Sequence, residues 1–193
     1  MPIAKSSMAD SVQAGVGKNA QDVQRVGLGG VFTMTCFDKD GNVKWEDQFH
    51  NLVVNVGLQE LNNQFFDGSG YNANWYLGLI DGASTPSYSA ADTMASHAGW
   101  TELAGGGTVY SGDRKAVTFG SATAANPSVI GNGGSPSVFS ITATATIAGA
   151  FLNTLATTTA GILFSEGNFT GGNKSVASGD TVNVTYTFSA EAV

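Results

Sequence analysis

Charge, proline and cysteine are all scarce in this sequence. Charged side chains make up 12% of its 193 residues, about half the share of an ordinary globular chain. Only eight are basic, and the formal net charge is −7. Nucleic-acid binding needs Lys and Arg clustered against phosphates, so this balance excludes nucleic acid as a direct partner. Proline occurs four times and cysteine once. Cys36 therefore has no intramolecular disulfide partner, and no thiolate cage for a metal can form. Its alternating apolar neighbourhood predicts a buried small hydrophobe rather than a nucleophile. No apolar run approaches the length of a membrane span, and residues 1–7 lack the apolar stretch of a signal peptide. The expectation is a chain made in the cytoplasm with no membrane partner.

Glycine is plentiful instead. It occurs 26 times, about twice the usual frequency, and without a collagen period. Many turns and few charges point to a β-rich protein. Hydrophobic residues make up 42%. A chain of this length buries roughly 70% of its unfolded surface, so a core can form without disulfides or metals. Charge is also unevenly spread. Residues 116–193 hold one Lys and three acids, against seven basic and twelve acidic residues before them. Either this half has a neutral Ser/Thr/Asn surface, or other subunits cover much of it.

Residues 1–28 are small, polar and without sustained period, which predicts an extended or flexible N-terminal arm. Residues 29–193 read as a single domain. The β-branched and aromatic run at 31–37 and its successor at 43–49 flank Asp38-Lys39-Asp40-Gly41-Asn42, a hairpin signal. Asn55 caps a short helix over 56–66, with Leu58, Leu61 and Phe65 on one face. Residues 74–80 read as a buried strand. A long connection follows over 81–107, with a helical turn at 90–94; a loop of that length is functional or docked. Further strands are expected at 108–110, 115–119, 138–145, 148–155, 161–165 and 181–188. The last alternates strictly, with Val182, Val184, Tyr186 and Phe188 on one face. Gly131–Gly134 and Gly171–Asn173 carry turn chemistry. Eight or nine short strands and one helix predict an all-β antiparallel β-sandwich, a jelly roll being one arrangement of it.

A search for chemistry returns no catalytic, cofactor-binding or metal residue. The two histidines, His50 and His97, are too few for a three-ligand zinc site. Asp92 and His97 have no Gly-x-Ser-x-Gly elbow to serve. Asp38–Asn42 has Gly fourth, not sixth as a calcium loop requires. Gly15-Val16-Gly17-Lys18 lacks the rest of a phosphate loop, and Gly27-x-Gly29-Gly30 is a joint before a strand. Glu46 and Asp47 are adjacent on a strand and point to opposite faces, so they cannot act as a carboxylate pair. Tyr71, Trp75, Tyr76 and Trp100 supply either β-core packing or a stacking platform for sugars.

Several stretches resemble small structural proteins of tailed-bacteriophage virions. They are Asp92-Thr93-Met94-Ala95-Ser96-His97-Ala98-Gly99-Trp100-Thr101-Glu102, with Trp75–Ile80 before it and Arg114 after it. Residues 139–152 and Gly179-Asp180-Thr181-Val182-Asn183-Val184-Thr185-Tyr186 fit the same pattern, so the resemblance runs over roughly residues 45 to 190. It implies a non-enzymatic virion component of the kind that includes capsid decoration (cement) proteins, head fibres and tail parts. The expectation is a decoration protein that stabilises the assembled capsid through its arm and sandwich. Its partners would be the major capsid protein and further copies of itself as a dimer or trimer. The alternative is a tail or head-fibre component that recognises host-surface carbohydrate.

Overall fold

Asp38 shows how the first hairpin closes. Its Oδ1 accepts the backbone N–H groups of Asp40 and Asn42, each at 2.9 Å, and Gly41 takes a φ of +84° that a side chain would resist. The turn joins β1 (Val26–Phe37) to β2 (Val43–His50), as the sequence predicts. This is a computed structural model, and it describes residues 25–67, 70 and 74–193. The predicted arm lies outside the described residues as far as position 24. Residues 26–28, assigned to that arm from sequence, instead open β1 and pair with residues 192–190.

The chain continues through β3 (Leu52–Val53) into α1 (Asn55–Asn62), which widens into a π turn, Asn63–Asp67. Asn55 is the first helical residue rather than the cap. Val54 holds the cap position and gives no side-chain bond. Then come β4 (Tyr76–Asp81), β5 (Lys115–Ala116), β6 (Ser128–Gly131) and β7 (Ser137–Ser140). They are followed by β8 (Ala145–Asn153), β9 (Leu163–Asn168), β10 (Lys174–Val176) and β11 (Thr181–Ala192). The helical turn expected at 90–94 is absent; turns and an isolated Thr93–Ser96 bridge stand there. The strand expected at 108–110 is reduced to a bridge between Tyr110 and Ile141. Residues 138–145 divide between β7 and β8.

Two antiparallel sheets result, an all-β sandwich. In the first, β11 is central: β1 flanks it over twelve paired residues, and β6 and β7 follow one another along its other edge. In the second, the order is β3–β9–β8–β4–β5, with β10 extending the edge of β8 that β9 occupies. Alternation sends Phe32, Met34 and Cys36 of β1, and Val182, Val184 and Tyr186 of β11, into the space between sheets. There they meet Leu77, Leu79, Leu152 and Phe164. Each such side chain stabilises the fold by roughly 1.5–3 kcal/mol through burial. The opposite faces of the strands, with a register irregularity in β8 near residue 148 and one in β9 near residue 164, send Ile80, Ala148, Phe151 and Leu163 to the outer face of the second sheet, where Met94 and Trp100 cover them. The long connection thus forms a third layer. The arrangement is sheet, sheet, loop.

Candidate functional site

The connection between β4 and β5 is tied to the second sheet by backbone bonds. Asp81 N–H donates to Thr101 O at 2.8 Å, Leu103 N–H to Leu79 O at 2.8 Å, and Asn55 N–H to Ala90 O at 2.8 Å. Under this cover sits Glu166 of β9, paired with Leu52 and Phe151 and fully buried. The Trp100 indole N–H donates to its Oε2 at 2.7 Å. Among the described residues its Oε1 has no hydrogen-bond partner, and neither has the buried Tyr88 hydroxyl. Burial first, and then the Asp92 carboxylate, push the Glu166 carboxyl up to about 8. Burial, then Glu166, raise the Tyr88 hydroxyl. His97 stacks on Trp100 with centroids 3.8 Å apart, its Nδ1 3.1 Å from Trp100 O. Asp92 and His97 thus lie in the layer that covers Glu166, and Asp92 accepts the Ser89 N–H.

Arg114 fastens the far end of the connection. Its Nε and Nη2 bind the Glu102 carboxylate at 2.8 and 2.6 Å, while Nη1 reaches Asn153 Oδ1, Leu155 O and Thr158 O. Thr158 adopts a φ of +67°, an unfavourable conformation for a β-branched residue. A polar cavity of about 330 Å³ opens beside this clasp, lined by Glu102, Tyr110, Asp113 and Thr158 among others. The guanidinium bonds both Glu102 oxygens and three chain oxygens and is buried, so it is a structural clasp.

A second cavity, about 530 Å³, lies between the sheets near α1. Leu61, Trp75, Phe119, Ile130, Phe164 and Phe188 help line it. Trp75 meets Phe164 edge to face at 5.3 Å, and Phe164 meets Phe188 at 5.5 Å. Outside it, the π turn holds Phe65 and Phe66 at 79% and 80% exposure. Their rings pack edge to face on each other, 5.0 Å apart. The predicted helix face therefore does not pack as a unit. Leu61 reaches the core, Leu58 is partly exposed and Phe65 points to water. The helix rests instead on Gly57 and Glu60. A Cβ at Gly57 would overlap the Phe164 carbonyl oxygen.

The other residues singled out from sequence are dispersed. Cys36 is fully buried, with its thiol pushed up to about 11 by burial and then by Asp180. His50 is exposed at the end of β2. Glu46 is exposed, and Asp47 pairs with Lys174 at 3.0 Å, so the two do point apart. Of the four aromatics, Trp100 is buried, Trp75 and Tyr76 are half-buried, and Tyr71 lies outside the described residues. Sequence reading passed over Glu166 and Phe66 as functional candidates. The one available signal for Glu166 was a lone acid inside the apolar run Leu163-Phe164-Ser165-Glu166. Comparison of the chain with known protein families, with curated proteins and with solved structures finds no match.

Proposed function

We propose that this chain is a non-enzymatic structural protein of a tailed-phage virion that decorates and stabilises the assembled capsid by binding the major capsid protein. The observation that carries the reading is the Phe65–Phe66 pair, almost wholly exposed on a π turn that ends the helix. Adjacent exposed aromatics mark contact surfaces, and rigid rings make good anchors at small entropic cost. The resemblance of residues 45–190 to small virion proteins supplies the class of partner. Stabilisation is by mass action: a protein that binds only the assembled shell shifts assembly toward it, by about 2.7 kcal/mol at a free concentration of 100 Kd. The segment before β1 contributes to the contact with the shell, and copies of the chain associate as a dimer or trimer on it.

The carbohydrate reading is weaker on one specific ground. A glycan platform needs an exposed ring with polar groups around it. Trp100 spends its indole N–H on Glu166, and Trp75 faces an apolar cavity.

Co-sedimentation with purified shells of the phage that carries the gene tests the proposal. The double substitution Phe65→Ser, Phe66→Ser should weaken binding at least about tenfold, with the circular-dichroism spectrum unchanged. A truncation that removes residues 1–24 and spares β1 should weaken it further. Full binding by both variants, or none by the parent chain, would overturn the proposal.

A further inference from the structure

Glu166 belongs to the sheet, whereas Asp92, Trp100 and Tyr88 belong to the connection that covers it. We propose that Glu166 and Asp92 form a pH-operated latch: one proton shared between their carboxyl groups holds the connection against the second sheet, and losing it lets the middle of the connection lift.

The geometry argues for the protonated form. Glu166 is enclosed completely; the Trp100 N–H donates to its Oε2 at 2.7 Å, the Ser89 backbone N–H also favours its charged form, and Oε1 has no hydrogen-bond partner among the described residues. A carboxylate there would leave Oε1 bare in a dry site, which is costly. A carboxylic acid has an O–H to give, and Asp92 is the acceptor that faces it. Asp92 is itself fixed, because its Oδ2 accepts the Ser89 N–H at 3.2 Å and its own N–H donates to Ser89 O at 2.9 Å. The other titratable groups at the site are Tyr88, beside Glu166, and His97, which stacks against the Trp100 ring. From the sheet, Glu166 is paired with the apolar Leu52 and Phe151. Arg114 stands over the Phe151 ring, 5.4 Å from its centroid, and is committed to Glu102.

Burial and the Asp92 charge move Glu166 from an ordinary 4.5 to about 8. The folded chain therefore keeps a proton that the unfolded chain releases. The stability this supplies is complete below about pH 4.5 and is lost as pH rises through about 8. Above that, two carboxylates face each other across the layer boundary. The backbone ties at Thr101 and Leu103 hold the connection's end, so opening is confined to residues 83–99 and breaks the Asn55 N–H bond to Ala90 O.

Hydrogen exchange of the full chain between pH 6 and 9, corrected for intrinsic rates, tests the latch. Peptides from 83–99 should lose protection at least about tenfold through pH 8, while β1 and β11 stay protected. Glu166→Gln keeps a donor toward Asp92 and an acceptor for Trp100, so it should remain protected throughout. Asp92→Asn should also suppress opening, by removing the like charge. Carboxyl NMR of the parent chain should show one Glu titrating near 8, lost in Glu166→Gln. That spectrum needs no variant for its first reading. Identical exchange in the parent and both variants, or no Glu titrating above the ordinary range, would overturn the proposal.

Discussion

Asn132 does with a side chain what β6 and β7 do with backbone. β11 pairs with β7 through residues 181–184 and with β6 through 187–190, which leaves a gap between. Asn132 fills it: its Oδ1 accepts the Tyr186 N–H at 2.6 Å, and its own N–H reaches Tyr186 O at 3.2 Å. Asn132→Ala would strand a buried N–H, at a cost of about 2 kcal/mol. For a chain of this size the melting temperature should fall by about 4–8 °C, measurable by calorimetry; an unchanged melting point would refute the role. Cys36 supports a second prediction. A thiol raised to about 11 and wholly buried carries almost no thiolate at neutral pH. It should resist an aromatic disulfide reagent in the folded protein and react promptly in denaturant. Its burial was legible from the alternation around it. The role of Asn132 was not, because in sequence it is one residue of a Gly-rich turn.

Helix α1 shows where element-level reading succeeds and where it fails. Its existence was legible from periodicity, but its packing was not. The apolar residues at 58, 61 and 65 point to a conventional amphipathic face, whereas the helix approaches β9 through its smallest residue, Gly57, against the Phe164 backbone. Alanine is the better helix former by about 1 kcal/mol, so propensity alone favours Gly57→Ala. The overlap with a backbone oxygen cannot be relieved by a rotamer change, and overpacking of this kind costs about 1–3 kcal/mol. Contact should win, and urea denaturation should show Gly57→Ala less stable than the parent; a more stable variant would mean that the helix shifts freely. Long alternating strands such as β1 and β11 were legible because each carries its own period. The short β3, β6 and β10 were not, since two to four residues hold no pattern and only their neighbours make them strands. Glu166 escaped notice for a related reason. Its partners come from the connection, and no local rule brings Trp100 to β9.

For the molecule as a whole, the low charge of residues 116–193 has an account within one chain. That stretch supplies β8, β9 and β11, three of the five interior strands of the two sheets, and nearly every residue of β8 is buried. Charge is sparse where water is absent. The same layout sets the kinetics. The pairing of β1 with β11 joins residues at opposite ends of the described chain, and such distant contacts make folding slow. Refolding by stopped flow should fall in the millisecond-to-second range of all-β domains; microsecond folding would contradict the topology. A consequence follows for biosynthesis. At about 5–20 residues per second, the ribosome makes β1 on the order of ten seconds before it makes the strand that β1 must join. Through that interval the inward face of the first hairpin, with Phe32, Met34 and Phe49, has no native cover from β11. The nascent chain is therefore a natural client for a holding chaperone, and slowing translation lengthens its exposure to aggregation.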